Sequence, residues 1–131
     1  VIVVDSNVIA YLLIPGKYTD AAERLLLADD DWVAPRLWRS ELRNVLATYV
    51  RGGLLDLSDA VALHRRASDI IGGNEYDVET PEVLRLAKLS GCSGYDCEFV
   101  SLAEHLDVDF VTADLKLARA FPSRAKVLVE A

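Results

Sequence analysis

The chain opens on four consecutive β-branched residues, Val1 to Val4, and the run stops on an acid, Asp5. An unbroken apolar run of this kind suits a strand covered on both faces, as at the centre of a parallel sheet. Parallel neighbours need crossover connections, usually helical, so the rest of the chain must supply them.

It does. Ala21 to Ala28 has helical composition behind an Asp20/Glu23 capping pattern. Pro35 is placed to open a helix that carries Trp38, Leu42, Val45, Leu46 and Tyr49 on one face and ends at Gly52-Gly53. Ser58 is positioned to cap a helix reaching Ile71, and Pro81 opens one that ends at Gly91. A further helix sets Tyr95, Phe99, Leu102, Ala103 and Leu106 on one face, and Leu115 to Ala120 forms a short one. Strands are expected at Tyr76 to Glu79, Val108 to Thr112 and Lys126 to Val129, while Trp32 to Ala34 is too short to assign. Alternating strands and helices imply a three-layer α/β sandwich, with a central parallel sheet of about four to five strands and helices on both faces. No linker or repeat divides it, so residues 1–131 form one domain, and 52% hydrophobic content is enough for one core.

The apolar run Val8 to Ile14 ends at Pro15-Gly16, far short of the roughly 20 residues that cross a bilayer. With no charged leader either, a cytoplasmic protein without a membrane partner is expected. Cys92 and Cys97, the only cysteines, match no zinc spacing and read as reduced thiols. The 14 basic and 21 acidic residues give a net charge of −7, opposite to the usual footprint of a nucleic-acid binder. Carboxylates gathered in one pocket around divalent cations would reverse the local field.

Four acids are placed for such a pocket. Asp5 and Asp114 follow strands, and ligand crevices of open parallel sheets lie beyond the strands' carboxyl ends. Asp5 also reads as a turn residue, and Asp114 as the N-cap of the helix at Leu115. Asp96 fits the first turn of a helix capped by Ser93, where negative charge is favoured. Glu41 lies roughly 80° from the centre of its helix's apolar stripe, so it borders a buried face and needs a partner. Together the four could meet at one point, where their mutual repulsion calls for a hard cation such as Mg²⁺. Such a cation activates water and neutralises phosphoryl oxygens. His64 and His105 lie in no ligand pattern and are expected at the surface, and no serine elbow or phosphate-binding glycine loop is present.

The segments V-I-V-V-D-S-N (Val1 to Asn7), S-E-L (Ser40 to Leu42), Y-D-C-E-F-V-S-L-A (Tyr95 to Ala103) and V-T-A-D-L-K-L-A (Val111 to Ala118) resemble, in order and spacing, the PIN-domain family. A chain that is only such a domain resembles the VapC-type toxins. The resemblance implies a metal-dependent endoribonuclease with an RNA substrate, Mg²⁺ (or Mn²⁺) as cofactor, a homodimeric state and a cognate antitoxin. It implies that Asp5, Glu41, Asp96 and Asp114 are the catalytic acids, with Asp5 and Asp96 foremost as metal ligands. Ser6, Asn7 and Thr112 are implied as supports. Basic groups expected to flank the acids are Arg36, Arg39 and Arg43 on the Glu41 helix, and Lys116 and Arg119 after Asp114. Competing readings are a phospho-acceptor receiver domain, weakened by Lys116 lying beyond Asp114; a haloacid-dehalogenase-like phosphatase, which would want an acid at Asn7; and a PIN fold that only binds RNA or protein.

Overall fold

The computed structural model describes residues 1–129. β1 (Ile2–Val4) is the middle strand of a five-stranded sheet, as its unbroken apolar run requires, and Val3 and Val4 are wholly buried. β2 (Trp32–Pro35) and β3 (Glu75–Tyr76) extend the sheet on one side, β4 (Phe110–Thr112) and β5 (Ala125–Val127) on the other, in the order β3-β2-β1-β4-β5. All pairings are parallel, with Val3 opposite Val33 on one side and Phe110 on the other.

Seven helices fill the connections among the described residues. α1 (Ser6–Leu13) and α2 (Thr19–Ala28) join β1 to β2, and α3 (Trp38–Arg51) and α4 (Leu57–Ile71) join β2 to β3. α5 (Thr80–Ser90) and α6 (Gly94–Leu106) carry the chain back across β1, and α7 (Leu115–Ala120) precedes β5. Right-handed crossovers that move first one way from β1 and then the other put the two helix sets on opposite faces. Packing agrees: α1 touches α2, α3 and α4, whereas α6 packs on α5 and lies over β1, β2 and β4. The chain's change of direction makes the carboxyl ends of β1 and β4 the switch point of the sheet, where a crevice opens.

Several boundaries differ from expectation. Trp32 to Ala34 is a strand, and Pro35 is its last residue rather than the start of a helix. At a strand end its missing N–H forfeits little, and α3 begins only at Trp38. β3 ends at Tyr76, β4 omits Val108, and β5 ends at Val127, leaving Val129 exposed. α1 has no counterpart in the sequence reading; it buries Val8, Ile9, Ala10 and Leu13 directly after the strand. The Asp20/Glu23 capping pattern is not used. Instead, the Thr19 hydroxyl accepts from the Gly16 N–H at 2.9 Å and donates to the Tyr11 carbonyl at 2.8 Å, tying the loop to α1. Asp56, not Ser58, precedes α4 as its cap residue.

His64 is half-buried rather than free on the surface. Its ring stacks on Trp38, centroids 5.4 Å apart, and Nε2–H donates to the Arg39 carbonyl at 3.1 Å, joining α4 to α3. Trp32, Trp38, Phe99 and Phe110 are the largest fully buried side chains. Cys97 is buried, Cys92 half-buried, and both are free thiols. Among the described residues no helix is long and apolar enough to cross a membrane.

Candidate active site

Asp5 follows β1 at the switch point and caps α1, its Oδ1 accepting the Ser6 N–H at 2.8 Å. Its Oδ2 accepts the Thr112 hydroxyl at 2.7 Å, a bond from the end of β4 to the end of β1. Thr112 Oγ1 also accepts the Asp114 N–H at 3.0 Å, so one hydroxyl spaces two of the four acids. Asn7 completes the frame. Its Oδ1 accepts the Ala113 N–H at 3.2 Å, and its Nδ2 lies 3.4 Å from both Asp5 Oδ2 and Thr112 Oγ1.

Glu41 approaches from α3, and its Oε1 accepts the Ser6 hydroxyl at 2.7 Å. Ser6 thereby links α1 to α3 across the crevice floor. Asp96 sits in the first turn of α6, where its N–H donates to Ser93 Oγ at 3.1 Å. Asp114 caps α7 by accepting the Leu117 N–H at 3.2 Å. The cap reading of Asp114 and the first-turn reading of Asp96 therefore hold alongside their place in the cleft, while Asp5 is a helix cap rather than a turn residue. All four line one cleft of about 610 Å³ with Ser6, Asn7, Leu37, Ser40, Asn44, Val45 and Tyr95. Ser93→Ala is expected to cost about 1 kcal/mol, read as a lower urea midpoint at constant m. An unchanged midpoint would show the cap that seats Asp96 to be idle.

The cleft is short of positive charge. Burial pushes the Asp5 carboxyl up to about 7; the Thr112 and Ser6 hydrogen bonds oppose the rise, and the charges of Glu41 and Asp96 add to it. Burial also raises Glu41, against the Ser6 bond and with the charges of Asp96 and Glu98. Asp96 is raised by burial and by Asp114, against the Ser93 bond. Among the described residues no three such groups are already drawn close enough to share one ion. Nevertheless, the donors are hard oxygens in an open cleft, which suits a magnesium ion that keeps several waters and takes only one or two carboxylates.

The expected basic flank is not formed by α3. Arg39 forks onto Glu75, lies over the Trp38 ring with its guanidinium 5.1 Å from the centroid, and reaches Ser68 at 3.3 Å. Arg36 pairs with Asp77 at 2.9 Å. Arg43 lines an apolar groove between α3 and α4 with Leu46, Val50 and Val61, apart from the acids. Arg36 lies in the turn before α3, and within α3 Arg39 stands two residues from Glu41 and so on a different face. Lys116 and Arg119 are exposed on α7 but do not line the cleft.

Sequence reasoning missed Ser40, Asn44 and Tyr95 as cleft residues. The first two carried a signal, since Asn44 is three residues from Glu41 and shares its face. Tyr95 is expected on the buried face of α6, but in the first turn of that helix it is 64% exposed.

Five parallel strands with a carboxylate-lined cleft at the switch point define an α/β protein. The PIN-domain profile matches residues 2–121, and the chain belongs to the PIN-domain family. Ribonuclease VapC3 of Pyrobaculum aerophilum is 28% identical over 125 residues, which span 93% of this chain and 95% of that protein. Two solved structures share the fold. The crystal structure of PAE2754 from Pyrobaculum aerophilum aligns with a TM-score of 0.78 at 20% identity, covering 97% of this chain and 90% of that one. That of FitAcB from Neisseria gonorrhoeae gives 0.70 at 20% identity, covering 95% and 96%.

Proposed function

We propose that the chain is a Mg²⁺-dependent endoribonuclease, with Mn²⁺ as a substitute, and the toxin of a toxin–antitoxin pair. The observation that carries this reading is the open cleft lined by four carboxylates, three of them held above their ordinary pKa and none paired there with Lys or Arg. Similarity to a ribonuclease along nearly the whole of both chains supports the same reading. Asp5 and Asp96 would hold the cation, with Glu41 and Asp114 completing the acid set. When bound, the cation supplies the charge that neutralises phosphoryl oxygens and acidifies an attacking water. Thr112 and Asn7 fix the Asp5 carboxylate, and Ser6 fixes that of Glu41, so the acids meet a substrate phosphate without reorganising. Lys116 and Arg119, exposed beyond Asp114, would contact RNA outside the cleft.

The expected result is cleavage of RNA in Mg²⁺ or Mn²⁺ and none in EDTA, with acetyl phosphate and p-nitrophenyl phosphate left intact. Undiminished cleavage after chelation would falsify the mechanism, and turnover of either small phosphate would favour a different class. The proposed antitoxin is a cytoplasmic protein that places an Arg or Lys among the acids, since a guanidinium pairs bidentately with carboxylates. Cleavage in the presence of a neighbouring gene's product checks this; persistence at saturating product would remove that candidate. Self-association into a homodimer is proposed from the family likeness, and a monomeric mass at working concentration would exclude it.

A further inference from the structure

The acids occupy only part of the cleft. Leu37, the cap residue of α3, and Ser40, Glu41, Asn44 and Val45 within it follow the spacing i, i+3, i+4, i+7, i+8, so they form one continuous stripe at the start of the helix. Tyr95 lines the same cleft from α6, one residue before Asp96. This half therefore offers two aliphatic side chains, one exposed aromatic ring, a hydroxyl and an amide. Among the described residues the Ser40 and Asn44 side chains make no hydrogen bond, so the donors and acceptors of both are unspent. Arg36, Arg39 and Arg43 point elsewhere, and the cleft contains no Lys or Arg. Phosphate contacts to fixed cationic side chains thus cannot hold a strand inside it.

We propose that Tyr95 and the α3 stripe form a slot for one unpaired nucleobase beside the scissile phosphate. The base stacks on the Tyr95 ring, with Leu37 and Val45 as the rest of the apolar lining and Ser40 and Asn44 bonding its edge. The whole cleft, acids included, has a volume of about 610 Å³, within the range of about 300–1,000 Å³ typical of small-ligand sites. Stacking on an aromatic ring tolerates any base but requires its face to be free, which a base inside a duplex cannot offer. The base that enters the slot must therefore be unpaired. This inference rests on the ribonuclease reading for its chemistry, but its binding step is measurable without cleavage.

The experiment compares wild type, Tyr95→Ala and Tyr95→Phe on a labelled single strand of mixed sequence, on the same strand with abasic riboses, and on a duplex. Anisotropy in calcium gives Kd, and initial rates in magnesium give KM and kcat. Tyr95→Ala should weaken binding and raise KM for the single strand about ten- to a hundredfold, with little change in kcat. Tyr95→Phe should match wild type, and the abasic strand should bind all three proteins equally weakly. Equal single-strand affinity in wild type and Tyr95→Ala overturns the slot, as does an equal loss on the abasic strand. A change of sedimentation coefficient in Tyr95→Ala would place the ring at a contact between copies, which also overturns it. Tyr95-dependent binding without cleavage in any cation sinks the ribonuclease reading and leaves the slot standing. Cleavage that is indifferent to Tyr95 does the reverse.

Discussion

Asp5→Asn is expected to lower RNA cleavage in magnesium by roughly a hundred- to a thousandfold while leaving the fold intact. Asp5 is the only one of the four acids that is nearly fully buried, and its two oxygens are already oriented by Ser6 and Thr112. An asparagine keeps that shape. Its Oδ1 can still accept the Ser6 N–H, and its Nδ2–H can donate to the Thr112 hydroxyl in place of the bond the carboxylate accepted. What disappears is one charge at the point where the cleft would hold its cation. Asp96→Asn should act in the same direction, and because Asp96 is half-exposed its stability change should be the smaller. Circular dichroism and turnover together check the claim. Wild-type turnover in a folded Asp5→Asn protein would remove Asp5 from the site.

The central strand and the helical layers were legible because their signals are periodic or unbroken. Val1 to Val4 admits no half-exposed strand, and the stripes of α3 and α6 bury Leu42, Leu46, Phe99 and Leu102 as their spacing predicts. The short strands were legible in place but not in their bounds. β3 has two residues and β5 three, too few for a period to emerge, and their extent is set by pairing with Ala34 and Phe110 across the sheet. α1 escaped for a different reason: its apolar residues run together directly after the strand, so no polar gap marks its face.

The cleft was legible as a convergence of acids, because strand ends and the border of a helical stripe are positions that a topology brings together. Its internal wiring was not. The Thr112 bond to Asp5 spans 107 residues and the Ser6 bond to Glu41 spans 35, and local spacing contains neither. Family resemblance named those supporting residues, whereas only the packed structure gives them partners. The same non-local logic redirected Arg39: β3 brings Glu75 beside it, and a nearly buried carboxylate in reach captures a guanidinium that a helix surface alone would leave to solvent.

The metal-free protein is expected to lose stability as pH rises from about 4 to about 7. Asp5 has an ordinary value of 3.8 and a folded value of about 7, so between these the folded state holds a proton that the unfolded state has released. Stability is then fully present below the lower value and falls until the upper one is passed, a loss on the order of a few kcal/mol from Asp5. Glu41 and Asp96 are raised as well and act with the same sign. Glu75, held low by Arg39, acts with the opposite sign but in more acid solution, whereas Glu98, raised by burial, adds to the trend set by the cleft acids. Magnesium should reverse the trend, because it binds the deprotonated acids and stabilises by about 2.7 kcal/mol at a hundredfold excess over Kd. Melts with and without magnesium should therefore separate above neutrality and converge near pH 5, while Asp5→Asn should flatten the metal-free curve. A metal-free profile that is level from pH 5 to 8, with a magnesium shift the same at both ends, would show that the carboxylates are already neutralised within the protein and that the cleft is not poised for a cation.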